Sequence, residues 1–241
     1  MIPLFKSQFS VGRSILTLDN IINIAEINSL KEVVLVEDTF YGFRKFNKTF
    51  QEKGIKLIFG IRLPVVNDES DEVPSKLIFF AKNNRGIKKI RDLYTSAYTS
   101  PQKALVLGDF TEDDFSNVKA AVPFYDSYIY NNLFHFGMSN LNLDKLDHVY
   151  FLEDNKHPFD FQLKKAIETI STSIVDGNVS EIKSVSTKSI FYKNKDDFHA
   201  FQMYKAVCNR SGGRSPVFSK PNLDHFCSDE FCWESYKDAT V

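Results

Sequence analysis

The chain has 241 residues, 43% of them hydrophobic and 25% charged, with 30 basic and 31 acidic side chains and a net charge of −1. That length builds one large domain or two small ones, and the near-neutral balance excludes a basic footprint over the whole surface while leaving room for a local patch. Three cysteines, Cys208, Cys227 and Cys232, form an odd set near the C-terminus that suits reduced thiols rather than a disulfide framework.

No apolar run approaches the roughly 18 residues of a membrane span. The N-terminus lacks the basic-then-apolar layout of a signal peptide. A cytoplasmic protein with no membrane partner is therefore expected. The 23 phenylalanines, with many Lys, Asn and Ile, suit an AT-rich genome such as a virus's.

Taken in chain order, residues 5–18 (FKSQFSVGRSILTL) predict a short strand running into a helix start. Residues 18–30 carry Leu18, Ile21, Ile22, Ala25 and Ile27 at helical spacing. EVVLV (32–36) is a β-branched run of the kind buried on both faces. Residues 42–54 place Phe43, Phe46 and Phe50 on one helical stripe, closed by Gly54 as a C-cap. Strands are predicted over 55–66 and 75–82, separated by the acidic loop 67–72. A helix follows over 87–98, then a strand over 104–108 and a short helix over 111–119, with Thr111 as N-cap and Asp114 completing a capping box. Residues 120–125 read as a strand, 126–137 as a helix, 148–154 as a strand, 161–175 as a strong helix and 181–191 as the last clear strand. Helices over 196–207 and 228–236 close the chain, with a Gly/Ser/Pro-rich loop over 209–221. About seven strands alternating with helices imply a parallel sheet with crossover helices, as a barrel or doubly wound. No repeat and no convincing domain boundary is visible, so a single domain over 1–241 is expected.

Motifs are sparse. No phosphate-binding glycine loop occurs, and no serine or cysteine stands in a recognisable nucleophile context. The stretch HFCSDEFC groups His225, Cys227 and Cys232. It reads either as part of a zinc site completed by Cys208 and His199 or, preferred on spacing, as packed thiols beside a short helix. Glu37 and Asp38 end a strand, where an α/β barrel places ligands or a base, although a lone strand-end acid more often orders a loop. Asp109, Asp154 and Asp196 meet the same plain reading. The basic run 82–91 supplies Lys82, Arg85, Lys88, Lys89 and Arg91. It can contact phosphate, with Arg85, Lys88, Lys89 and Arg91 as candidates, but a solvated helix face is preferred.

The order of these segments resembles the PHP (polymerase and histidinol phosphatase) domain at the N-terminus of bacterial C-family replicative polymerases, the DNA polymerase III alpha subunits. SKLIFFAKNNRGIKKIRDLYTSAY (75–98) is similar to that family's His-Leu-x-x-Leu-Ala-x-Asn-x-x-Gly segment, and GIKLIFGIRLPV (54–65) to its Gly-Ile-Lys-Pro-Ile-x-Gly-x-Glu strand. VVLVEDTFYGFRKFNKTF (33–50), SVSTKSIFYKNKDDFHAF (184–201) and LDHFCSDEFCWESYKD (223–238) resemble three further family segments in the same order. The resemblance implies a distorted (β/α)7 TIM-like barrel of the PHP type.

It also implies where a metal cluster for phosphoester hydrolysis would sit. The family's opening His-x-His falls on Lys6 and Gln8, and a third histidine on Ser10. Its Asp-His pair falls on Asp38, retained, and Thr39. Its strand glutamate becomes Arg62, its strand histidine Lys76, and its late Asp-x-His Ser189 and Phe191. Metal sites need deprotonated N, O or S donors, and only Asp38 qualifies. The expectation is a degenerate domain with no catalytic residues, no metal and no cofactor, whose substituted cations pair with Asp38. The resemblance implies a structural or protein-interaction module in DNA replication, partnered by a DNA polymerase or a proofreading exonuclease. Two further readings remain open: a metal-dependent phosphoesterase or 3′-5′ exonuclease with an altered site, and a DNA-binding accessory module using the basic run. The chain reads either as an excised piece of a longer polymerase or as a stand-alone, phage-encoded relative.

Overall fold

Strand β1 (Ile2–Phe5) has neighbours drawn from opposite ends of the sequence: it pairs in parallel with β2 (Glu32–Glu37) on one side and with β10 (Ser184–Ile190) on the other. The computed structural model describes residues 1–71, 73–134, 140–171, 174–175, 178–179, 183–208 and 228–240. Its remaining strands are β3 (Lys56–Val66), β4 (Ser75–Ala81), β5 (Leu105–Val106), β6 (Val118–Val122), β7 (His148–Leu152), β8 (Ile174–Val175) and β9 (Asn178–Val179). The helices are α1 (Leu18–Ile27), α2 (Phe43–Glu52), α3 (Asn84–Thr99), α4 (Glu112–Phe115), α5 (Tyr128–Phe134), α6 (Asp160–Ser171), α7 (Phe198–Cys208) and α8 (Trp233–Thr240).

The strand order is β2-β1-β10-β7-β6-β4-β3-β5, and β2 also pairs with β3. Seven strands therefore form a closed sheet, with β5 added alongside β3, and β8 and β9 make a separate hairpin. This is the PHP-type α/β barrel expected from the segment order. One departure from an all-parallel ring is β4, which runs antiparallel to both β3 and β6.

The chain packs as two compact units: Met1–Phe59 with Asp154–Pro158 and Thr187–Val241, and Gly60–Glu153 with Phe159–Ser186. In the first, the outer faces of β1, β2 and β10 carry Phe5, Leu35 and Ile190 into a core with α1, α2 and Trp233. The Phe5 and Trp233 rings stack with centroids 5.6 Å apart. Phe46 and Phe50 of α2 are fully buried there, as their stripe predicts, and Gly54 takes the left-handed conformation (φ +67°) that ends the helix. Helix α1 is capped by Thr17, whose hydroxyl accepts the Asn20 N–H at 3.1 Å. It stops at Ile27, which is 73% exposed although its spacing matched the buried stripe. In the second unit, Ile61, Leu63 and Val65 of β3 and Leu77 and Phe79 of β4 are buried on one sheet face.

Several predicted boundaries move. Helix α3 begins three residues earlier than expected, and the helix predicted over 111–119 shrinks to α4, because β6 already starts at Val118. The strand predicted over 104–108 is two residues long and runs into a single 3-10 turn, Leu107–Asp109. The helix expected over 161–175 ends at Ser171, ahead of a β8–β9 hairpin that the sequence did not suggest. The loop 209–221 lies outside the described residues.

Candidate functional site

In the first unit the C-terminal ends of β1, β2 and β10 lie side by side. Leu4 pairs with both Val34 and Ser189. Because side chains alternate along a strand, Lys6, Asp38 and Ser189 fall on one face. There the Lys6 ammonium donates to Asp38 Oδ1 at 3.0 Å. The Lys6 side chain is 5% exposed and that of Asp38 22%. Losing one partner of such a shielded pair costs about 3–5 kcal/mol, since the other charge is left without compensation.

The segment after β1 folds back on itself to hold this pair. Gln8 N–H donates to Leu16 O at 2.7 Å, and Gly12 adopts φ +75° at the turn. Ser14 Oγ lies 2.5 Å from Lys6 O and 2.8 Å from Phe191 O, tying the end of β1 to the segment after β10. The turn also builds a second buried site on the opposite face of β2. The Glu37 carboxylate accepts the Ser7 N–H at 2.8 Å and the Ser10 hydroxyl, while Ser10 Oγ accepts the Asp38 N–H at 2.9 Å. Burial pushes the Glu37 carboxyl above its usual range, against the opposing pull of Lys6, Ser10 and Ser7.

The other positions singled out in this unit do different work. Gln8 is exposed and Thr39 half-buried, with its Oγ1 accepting the Tyr41 N–H at 3.3 Å. Phe191 is buried in a ring stack between Phe201 and Phe231, with centroids 5.8 and 5.3 Å away. These donors do not fit a metal cluster. The one carboxylate that the resemblance retains holds an ammonium, and Ser10 is committed to Glu37.

A third charged cluster was missed by sequence reasoning. Lys188, buried on β10, donates to Asp154 O at 3.1 Å and lies 3.5 Å from Glu230 Oε2. Glu230 also takes the ammonium of Lys156, and Ser228 donates to Asn155 O. Burial opposes ionisation of Glu230, but the Lys156 hydrogen bond and the Lys188 charge prevail and hold its carboxyl below the usual range. Nothing local in the sequence links positions 154–156, 188 and 228–230.

In the second unit Arg62 is buried on β3 and donates to Asp126 Oδ2 at 3.0 Å. Arg62 thus has a carboxylate partner within its own unit, Asp126. Asp126 sits at φ +62° in the turn after β6, and its carbonyl accepts the Lys76 N–H at 3.1 Å. Lys76 lies opposite Pro64, on the same sheet face as Arg62.

The basic run also divides. Lys89 donates to Asp114 at 2.6 Å and lies over the Phe110 ring at 5.2 Å, so it is occupied within the fold. Lys82 pairs with Asp147. Arg85, Lys88 and Arg91 are exposed on α3. Of the thiol stretch, His225 and Cys227 lie outside the described residues. Cys232 is buried and contacts Ser235 Oγ at 3.2 Å, while Cys208 is exposed. Among the described residues no group of three or more His, Cys, Asp or Glu side chains is arranged to hold a metal. No helix among them is long and apolar enough to cross a membrane.

The family model of the PHP domain matches residues 5–122, a span that includes Lys6, Gln8, Ser10, Asp38, Thr39, Arg62 and Lys76. No curated protein matches the chain. Among solved structures, it is similar to one from Bifidobacterium adolescentis ATCC 15703 whose name proposes a metal-dependent phosphoesterase. That similarity has 18% identity and a TM-score of 0.28, and covers 40% of this chain and 34% of the other, so it spans about a third of that protein's length. It bears on neither activity nor substrate. The family match and the closed strand order agree: residues 5–122 are similar to the PHP domain, and the fold is a barrel of the PHP type.

Proposed function

We propose that this PHP domain is non-catalytic and serves as a structural or protein-interaction module in DNA replication, related to the N-terminal domain of C-family polymerases. The observation that carries the reading is the Lys6–Asp38 ion pair. A buried ammonium stands where the resemblance places a metal-ligating histidine, and it occupies the one acid that the resemblance retains. An ammonium has no lone pair to give a metal and repels a divalent ion. Partners of the kind the resemblance implies, a DNA polymerase or a proofreading exonuclease, would then use the barrel as a brace.

The test is phosphomonoester and phosphodiester hydrolysis by the full chain with Mn²⁺ or Zn²⁺, alongside calorimetric titration of each metal and the same assays on Asp38→Ala. The expected result is no turnover and no stoichiometric metal uptake in either protein. Turnover that Asp38→Ala abolishes would establish the second reading, a metal-dependent phosphoesterase or 3′-5′ exonuclease with an altered site.

A further inference from the structure

Helix α2 and the turn before it present two unlike faces. Phe46 and Phe50 point into the core, while Arg44, Lys45 and Lys48 are exposed. Lys48 reaches Glu52 at 3.8 Å with both side chains largely in water, an arrangement that neutralises little. Arg44 and Lys45 make no ion pair among the described residues.

Directly ahead of these cations stands Tyr41, 84% exposed. It is nevertheless held in place. Its N–H is bound by Thr39, and its ring rests against Phe9 with centroids 5.5 Å apart. At the next residue, Gly42, a Cβ would stand 2.2 Å from the Phe9 ring, so a side chain there would displace the support. Phe40 and Phe43, both half-buried, extend the bed of rings, each packed on Phe59 at 5.8 and 4.7 Å. A large aromatic side chain kept rigid and in water is ready to receive a flat partner, since its stacking face is already ordered. The three cations that follow it within seven residues call for negative charge on the same partner.

We propose that Tyr41, supported by Phe9, and Arg44, Lys45 and Lys48 of α2 form a binding surface for single-stranded nucleic acid. Unpaired bases offer the flat face and the backbone offers the phosphates, whereas a duplex hides its base faces in the stack. The surface is separate from the basic run on α3 and uses none of the residues of the Lys6–Asp38 pair, so it stands or falls apart from the reading of a non-catalytic barrel.

The experiment is fluorescence anisotropy of labelled oligo-dT, oligo-rU and a duplex of equal length with the full chain, at low and at physiological salt. The expected result is tighter binding of at least one single strand than of the duplex. Tyr41→Ala should weaken single-strand binding about tenfold, the order of one lost base stack, with duplex binding unchanged, and Tyr41→Phe should keep it. Arg44→Glu with Lys48→Glu should weaken binding and flatten its salt dependence, while Lys88→Glu with Arg91→Glu should leave it intact. Far-UV dichroism and thermal melts check that each variant folds. Equal affinity for single strand and duplex, no response to Tyr41→Ala, or an equal loss in the α3 variant would overturn the proposal.

Discussion

Glu37 and Asp38 are adjacent in sequence, yet alternation along β2 sends them to opposite faces and into different chemistry. Asp38 meets an ammonium, whereas Glu37 meets a backbone amide and a serine hydroxyl in a dry pocket. The folded protein therefore holds a proton on Glu37 more tightly than the unfolded chain does. By linkage, that contribution to stability is full below the unfolded value and is lost as pH rises through the elevated folded value. Glu37→Gln removes this dependence. As the pH rises from about 4, the urea midpoint of the variant should rise relative to that of the parent protein. A difference that stays constant with pH would refute the assignment. Of this pair only the acids themselves were legible. That Lys6 would reach Asp38 followed from the family resemblance, but the Ser7–Ser10 turn that cradles Glu37 became apparent only from the fold of residues 6–14.

Among the elements, α3 shows what a motif can mean when its chemistry is absent. The Asn-x-x-Gly within residues 75–98 carried part of the family resemblance, and the structure gives it a mechanical role. Asn83 is the N-cap, its Oδ1 accepting the Gly86 N–H at 3.0 Å. Gly86 then lets the first turn press onto the loop before β6, where an added Cβ would stand 2.2 Å from Asn117 O. Since backbone cannot step aside as a flexible side chain can, Gly86→Ala should destabilise by about 1–3 kcal/mol. Asn83→Ala should cost about 1 kcal/mol. Chemical denaturation checks both, and an alanine at 86 that is neutral would show that the loop yields. The same residues explain why the helix start was misplaced: two asparagines and a glycine within four residues (83–86) read as a loop unless the cap is recognised. Elements with a strong apolar period, such as α2 and β3, were legible from sequence. Those fixed by what lies beside them in space were read too long, as with the two-residue β5, or missed, as with the β8–β9 hairpin.

At the scale of the whole molecule, charges distant in sequence hold segments together. Lys188 from β10, Asp154 and Lys156 from the segment after β7, and Glu230 ahead of α8 meet in one cluster within the first unit. Glu230→Gln leaves Lys188 buried with only a carbonyl and should cost about 3–5 kcal/mol at neutral pH. Its carboxyl sits below the ordinary value, so the stabilisation is present above that value and is lost as the pH falls through the depressed one. The cost of the substitution should therefore shrink in acid. Adding Lys188→Met to the variant should recover much of the loss, because it removes the orphaned charge. A deficit that is unchanged in acid or in the double variant would show that packing, not charge, is at stake.

The placement of β1 between β2 and β10 has a consequence for how the protein is made. β2 leaves the ribosome soon after β1, but the other edge of β1 stays open until about 180 residues have followed it, a wait of roughly 10–40 s at ordinary rates of translation. Through that interval a short apolar strand exposes unpaired backbone groups to any passing chain. The nascent protein should therefore aggregate most readily when synthesis pauses before residue 184.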